Sequence, residues 1–215
     1  GLKNTLIVLS ADHGGPEVPG YLKQFGINAG YVTPENWDKK PGFMALKKKF
    51  GVDKELISEY NHPYVYLNKE VISQHKLNQQ DVEHLVAKEL LKFEGIAQAI
   101  ASSDLRQNRL PDTPLNQAIR NNFNANRSGD IYVVFKPHWF INDFDGLEVA
   151  ATHGSPWRYD TYVPIVFAGM DIPAQHIQRS VLTVDIAPTL TTFLGIKPPS
   201  GAAGEPLVEI FGAAK

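Results

Sequence analysis

The residues best equipped for chemistry are Asp12 and His13. They follow the apolar run Thr5-Leu6-Ile7-Val8-Leu9 and precede Gly14-Gly15-Pro16. A carboxylate oxygen and an imidazole nitrogen are ligands suited to Zn²⁺ or a similar ion. Neighbouring residues on a strand point to opposite faces, but at a strand end the backbone turns, and both side chains can converge on one ion. Gly14 and Gly15 permit that turn and a close approach of backbone. Taken alone, Asp-His-Gly suits equally a turn that the two side chains simply cap. His153, in His153-Gly154-Ser155-Pro156, is a second candidate ligand. A lone loop histidine is explained as well by solvation or by an ordinary hydrogen bond. Arg158 and Tyr159 follow closely as candidate substrate-rim residues, and Asp160 as an acidic group suited to structural bonding. His62, His75, His84, His138 and His176 show no ligand-like spacing. Lys47-Lys48-Lys49 reads as a solvated helix face.

These residues need elements to hold them. The run from Thr5 to Leu9 is continuously apolar, which suits a strand covered on both faces. Polar residues at the carboxyl end of such a strand lie where open α/β sheets bind ligands. Ile131 to Phe135 and Val163 to Gly169 read as further strands, and Tyr64 to Leu67 as a short one. Gly95 to Ala101 reads as a returning strand. Asn78 is an N-cap for a helix from Gln79 to Phe93, whose Val82, Leu85, Val86 and Leu90 keep helical spacing. Helices are also expected over Phe43 to Phe50, stopped by Gly51, and from Pro114 to Phe123. Another runs from Thr183 to Leu194, with Asp185 capping it. Residues from about Glu17 to Lys40 read as irregular connection. The alternation of apolar strands and amphipathic helices predicts an α/β fold. The expected architecture is part of a doubly wound, mostly parallel sheet flanked by helices. The core comprises residues 1–17 and 127–215, and residues 18–126 form an irregular α+β cap or insertion.

Composition narrows the classes. The chain has 215 residues, of which 43% are hydrophobic and 20% charged, so a packed domain is expected and wholesale disorder is not. Net charge is 21 − 23 = −2, which argues against a binder of nucleic-acid duplexes, normally a basic surface. With no cysteine, disulfides, zinc ribbons, iron–sulfur clusters and thiol catalysis are excluded. No apolar run approaches the ~20 residues of a membrane-spanning helix.

Several segments together resemble the alkaline phosphatase superfamily, in particular the phosphate-insensitive bacterial alkaline phosphatases and the related type I phosphodiesterase/nucleotide pyrophosphatases. They are Leu6-Ile7-Val8-Leu9-Ser10-Ala11-Asp12-His13-Gly14, Arg127-Ser128-Gly129-Asp130-Ile131 and His153-Gly154-Ser155-Pro156-Trp157-Arg158-Tyr159-Asp160. Val163-Pro164-Ile165-Val166-Phe167-Ala168-Gly169 and Asp185-Ile186-Ala187-Pro188-Thr189-Leu190 complete the set. The resemblance is tightest at both ends of the chain and loose from about Val18 to Asn126.

The resemblance implies a phosphate-ester hydrolase with two zinc ions and a Ser or Thr that becomes phosphorylated. Asp12 and His13 match ligands of the zinc that also binds the nucleophile, and His153 matches a ligand of the other. In that family the nucleophile and the remaining ligands precede the Asp-His-Gly motif. Only eleven residues do so here, so no catalytic nucleophile is expected in this chain. It is expected to be a C-terminal portion, inactive and weak in zinc by itself, whose partners are small phosphate esters and the missing N-terminal segment. A sheet divided in this way would leave an apolar edge and face that favour association. The resemblance also implies a bacterial periplasmic or secreted protein. Phosphodiesterase or sulfatase activity, a phosphoglycerate-mutase-like activity with manganese, and a non-catalytic α/β binding domain are the alternatives.

Overall fold

The computed structural model describes residues 1–144, 146–170 and 172–211. Its strands are β1 (Leu6–Leu9), β2 (Gly30–Tyr31), β3 (Ile57–Asn61), β4 (Tyr64–Leu67), β5 (Ile96–Ala101), β6 (Ile131–Phe135), β7 (Trp139–Phe140), β8 (Asp143–Phe144), β9 (Leu147–Glu148) and β10 (Val166–Gly169). Its helices are α1 (Pro19–Gln24), α2 (Pro41–Phe50), α3 (Lys69–Gln74), α4 (Gln79–Leu90), α5 (Ser102–Arg106), α6 (Pro114–Asn122), α7 (Arg158–Thr161) and α8 (Ile186–Leu194). They form two compact units: Gly1–Asp12 with Val163–Lys215, and His13–Tyr162. No helix among the described residues is long and apolar enough to cross a membrane.

In the first unit β1 pairs antiparallel with β10, Ile7 lying opposite Ala168. The expected strand over Val163 to Gly169 is shorter at its start, since Pro164 has no N–H for a ladder. β1 is not covered on both faces: Ile7 is 45% and Leu9 62% exposed. At its edges β10 is its sole strand partner among the described residues. A 3₁₀ turn, Thr183–Asp185, leads into α8. The Asp185 carboxylate does not cap α8 itself. It accepts the Leu182 N–H at 2.8 Å and the Glu205 N–H at 2.9 Å, tying the C-terminal segment to the helix start. Buried Thr189 extends the tie, its hydroxyl accepting the Leu207 N–H at 2.8 Å.

The second unit is built on a four-stranded sheet of order β3-β4-β6-β5, antiparallel throughout. The β6 strand is an inner one, and all five of its residues are buried. That explains why this unit extends past residue 126, where the sequence suggested a boundary: without β6 only the β3–β4 pair and a lone β5 would remain. The fold class is α/β, but the strand directions differ from the expected mostly parallel sheet. Among the described residues only β2 with β7 is parallel. The β3–β4 connection is a tight turn, which joins only antiparallel neighbours.

Helix α4 follows its sequence pattern closely. Val82, Val86 and Leu90, successive at i+4, are all 0% exposed, and the Asn78 side chain accepts the Asp81 N–H at 3.1 Å. The helix ends at Leu90, short of Phe93, whose ring packs against the core from the turn that follows. The segment read as irregular contains α1 and a 3₁₀ turn, Pro34–Lys39. That turn buries Trp37 against Tyr60 and Phe93.

Asp38 lies on the same turn and is 7% exposed. One carboxylate oxygen accepts the N–H groups of Leu56, at 2.8 Å, and Ile57, at 3.3 Å. The other has no hydrogen-bond partner among the described residues, and Lys47 stands 4.0 Å away. Burial holds this carboxyl above its usual range despite those N–H groups and Lys47. A raised folded value means that the stability contribution is full below the unfolded value and is lost as pH rises through the folded one. Asp38→Asn is therefore expected to gain stability relative to the parent as pH is raised from about 4 towards 7. Urea midpoints of both proteins across that range test this, and a constant difference would refute it.

Candidate metal centre

His13 opens the second unit and lies against His153, which comes from the far end of it. Their rings stack at 3.6 Å between centroids, 11° from parallel. Both residues are exposed, as is Asp12. The His13 Nδ1 stands 2.6 Å from the Gly14 carbonyl. A carbonyl can only accept, so Nδ1 carries a hydrogen. A metal-ligating imidazole commonly holds its other N–H on an acceptor in this way.

Backbone contacts hold the pair in place. The Gly14 N–H donates to the Asp160 carbonyl at 2.7 Å. Gly14 lies so close to the following turn that a Cβ would sit 2.0 Å from the Tyr159 carbonyl oxygen. The close approach expected of this glycine is therefore made to the protein's own backbone. From the same turn the Asp160 carboxylate, 4% exposed, accepts the Ser155 N–H at 2.7 Å. Asp160 thus holds the His13 segment through its carbonyl and the His153 loop through its side chain.

Tyr159 is part of this clamp. Its hydroxyl accepts the His138 N–H at 3.0 Å, and its ring stacks on His138 at 5.0 Å. Burial pushes its phenol above the usual value. The Arg158 guanidinium lies 4.8 Å over the Tyr162 ring, a cation–π contact on an exposed surface.

One neighbour of the site carries no sequence signal. His62, from the turn between β3 and β4, stands with Nε2 3.2 Å from the Gly154 carbonyl and Nδ1 2.7 Å from the Tyr60 hydroxyl. Burial lowers its pKa, outweighing the Gly154 carbonyl and Asp160, which pull it upward. A histidine ninety residues from the loop it touches has no spacing by which to be found.

The donors suit zinc in kind, a carboxylate at Asp12 and imidazoles at His13 and His153. They fall short in number. Among the described residues no group of three or more His, Asp or Glu side chains is arranged to hold a metal ion, whereas zinc is normally held by three or four protein ligands.

The α/β architecture finds its counterpart among the alkaline phosphatases. No family profile matches the chain, but similarity to the alkaline phosphatases runs along nearly all of it. The alkaline phosphatase PafA of Elizabethkingia meningoseptica is 30% identical over 213 residues, 99% of this chain and 38% of that protein. Alkaline phosphatase PhoV of Synechococcus elongatus is 26% identical over 220 residues, covering 98% of this chain and 36% of its own. A protein of Myroides odoratus named as a calcium-transporting ATPase is 32% identical over 209 residues, 97% of this chain and 37% of that one. The crystal structure of wild-type PafA superposes with a TM-score of 0.81 at 29% identity, over 96% of this chain and 38% of the other. The chain thus resembles the alkaline phosphatase superfamily in sequence and in fold, and spans rather more than a third of the length of these relatives.

Proposed function

We propose that the chain is a portion of a two-zinc phosphate-ester hydrolase whose Ser or Thr nucleophile lies upstream of it. In this reading Asp12 and His13 are ligands of one zinc ion and His153 of the other. When bound, two such ions stabilise charge on the attacking and leaving oxygens of phosphoryl transfer. The observation that carries the reading is the meeting of His13 and His153, 3.6 Å apart, within a chain similar to alkaline phosphatases throughout. The chain's own residues serve to orient. Asp160 fixes both histidine segments, and the Gly14 carbonyl orients the His13 ring. The exposed apolar residues of β1 and β10 support a covering segment from the rest of the protein. Function in the bacterial periplasm or outside the cell belongs to the same proposal.

By itself the chain is expected to release no phosphate from p-nitrophenyl phosphate and to hold zinc weakly. Its zinc binding should weaken in acid, since ligating histidines must be neutral. The complete protein is expected to hold about two zinc ions. There His153→Ala should lower turnover at least ~100-fold, because even residues supporting a ligand contribute 10–100-fold. Zinc content and phosphate release test both statements. Rapid turnover by the chain alone, or a complete protein active without zinc, would refute the reading. A diester, a sulfate ester and ATP belong in the assay. The first two separate phosphodiesterase and sulfatase activity from monoesterase activity, and the name of the Myroides relative supports the third.

A further inference from the structure

We propose that His62 is a positioning residue for His153, fixing the loop that carries it through a hydrogen bond to the Gly154 carbonyl, with Tyr60 selecting the tautomer that makes this bond. The inference rests on the zinc reading above.

The tautomer follows from the partners. Gly154 offers only a carbonyl oxygen to the His62 Nε2, so Nε2 must carry a hydrogen. In a neutral imidazole Nδ1 is then an acceptor, and the Tyr60 hydroxyl donates to it at 2.7 Å. The other tautomer would set a lone pair against the carbonyl. The downward pull of burial on the His62 pKa favours the neutral ring.

The geometry shows what is held. The Gly154 carbonyl and the Ser155 N–H belong to one peptide unit. His62 binds its oxygen, and Asp160 binds its N–H at 2.7 Å. A peptide held at both polar atoms cannot flip, although Gly154, at φ 107°, is a residue whose neighbouring peptides rotate readily. His153 precedes this fixed unit by one peptide, joined to it through the Gly154 Cα. The His62 ring is itself immobilised. It lies 5.5 Å from the Phe135 ring, 28° from parallel, and its backbone follows the last residue of β3, where Asn61 pairs with Tyr64. A Cβ on Gly154 would meet the ring at 3.3 Å, so glycine also makes room for the contact. A hairpin within residues 18–126, the stretch that the sequence marked as an insertion, thus controls the orientation of a candidate ligand.

The test uses the complete enzyme with His62→Leu, His62→Gln and Tyr60→Phe, and His153→Ala for reference. The readouts are zinc retained against a chelator, kcat and KM with p-nitrophenyl phosphate, and the side-chain ¹⁵N shifts of His62. Leucine keeps the bulk and removes the donor; it should lower zinc affinity and kcat by about 10–100-fold, the range for groups that orient a ligand, with a smaller change in KM. Glutamine carries an N–H that can reach the same carbonyl and should restore most of the loss. The ¹⁵N shifts should report hydrogen on Nε2. If His62→Leu does not fold, Tyr60→Phe remains decisive, because it should mix the tautomers and weaken zinc retention. Normal zinc and turnover in His62→Leu, or in Tyr60→Phe, together with their loss in His153→Ala, would overturn the inference and leave the zinc reading intact. Equal loss in the Gln and Leu variants would overturn it too, reducing His62 to packing. Retention in His153→Ala would instead sink the reading beneath it.

Discussion

Asp130→Ala is expected to destabilise the second unit by about 3 kcal/mol, since hydrogen bonds to a charged group contribute about 1.5–3 kcal/mol each and a stranded buried N–H adds a penalty. Asp130 ends the Arg127-Ser128-Gly129-Asp130 segment, immediately before β6, and is 4% exposed. One carboxylate oxygen accepts the Leu67 N–H at 2.9 Å. The other accepts from the Gln79 amide at 3.1 Å and from the Lys69 ammonium. The Gln79 amide also donates to Glu83, at 2.9 Å, and Glu83 in turn accepts the Ser103 N–H at 2.9 Å. Alanine would strand the Leu67 N–H inside and break the link between β4, α4 and β6. Lys69 is 54% exposed and can turn to water, which keeps the loss below that of a fully buried ion pair. Asp130→Asn should be intermediate, because one oxygen can still serve Leu67 while its NH₂ faces two donors. Trp37, Trp139 and Trp157 all lie in the second unit, so urea unfolding followed by tryptophan fluorescence reports it directly. A loss under about 1 kcal/mol, no more than one ordinary hydrogen bond, would mean that this network is dispensable.

The same residue shows what the sequence could and could not reveal. The segment around Asp130 stands out by resemblance, yet its partners Leu67 and Gln79 lie more than fifty residues upstream, and no local pattern links them. Helix α4 was legible except at its C-terminal end because its information is local: an N-cap at Asn78 and a stripe of Val82, Val86 and Leu90. The strand β6 was legible as a strand from its β-branched and aromatic run, but not as the inner strand of an antiparallel sheet, since pairing depends on distant segments. For β1 the apolar run correctly gave a strand and wrongly gave two covered faces. A run of Leu, Ile and Val records what a strand can bury, not what lies beside it. The candidate site divides in the same way. Asp12, His13 and His153 are conspicuous by type and setting, and the two histidines do meet. Asp160 could be noticed as an acidic neighbour, but its grip on both segments depends on tertiary placement. His62 gave no signal at all, because the contact is to a backbone carbonyl, which any residue at position 154 would possess.

In the two-zinc hydrolase proposed above, Gly14→Ala should impair catalysis strongly although it removes no polar group. The new Cβ would lie 2.0 Å from the Tyr159 carbonyl oxygen, with the Tyr159 carbonyl carbon at 3.1 Å. Both are backbone atoms on the turn that Asp160 ties down, so no flexible side chain can swing aside. Either the His13 segment or the α7 turn must retreat, and the 2.7 Å bond from the Gly14 N–H to the Asp160 carbonyl stretches with it. Overpacking of this kind costs about 1–3 kcal/mol in stability. The functional loss should be larger in proportion, since a displacement of about 1 Å at a reacting centre can lower the rate 100-fold. Gly15→Ala is the matched control: its Cβ would meet nothing within 4 Å. In the complete enzyme Gly14→Ala is expected to lose about 100-fold in kcat/KM and part of its zinc, while Gly15→Ala stays near the parent in both. Equal behaviour of the two variants would show that the close approach at Gly14 does not set the position of His13. In that case the stacking of His13 on His153 would have to be maintained by the imidazole contacts themselves.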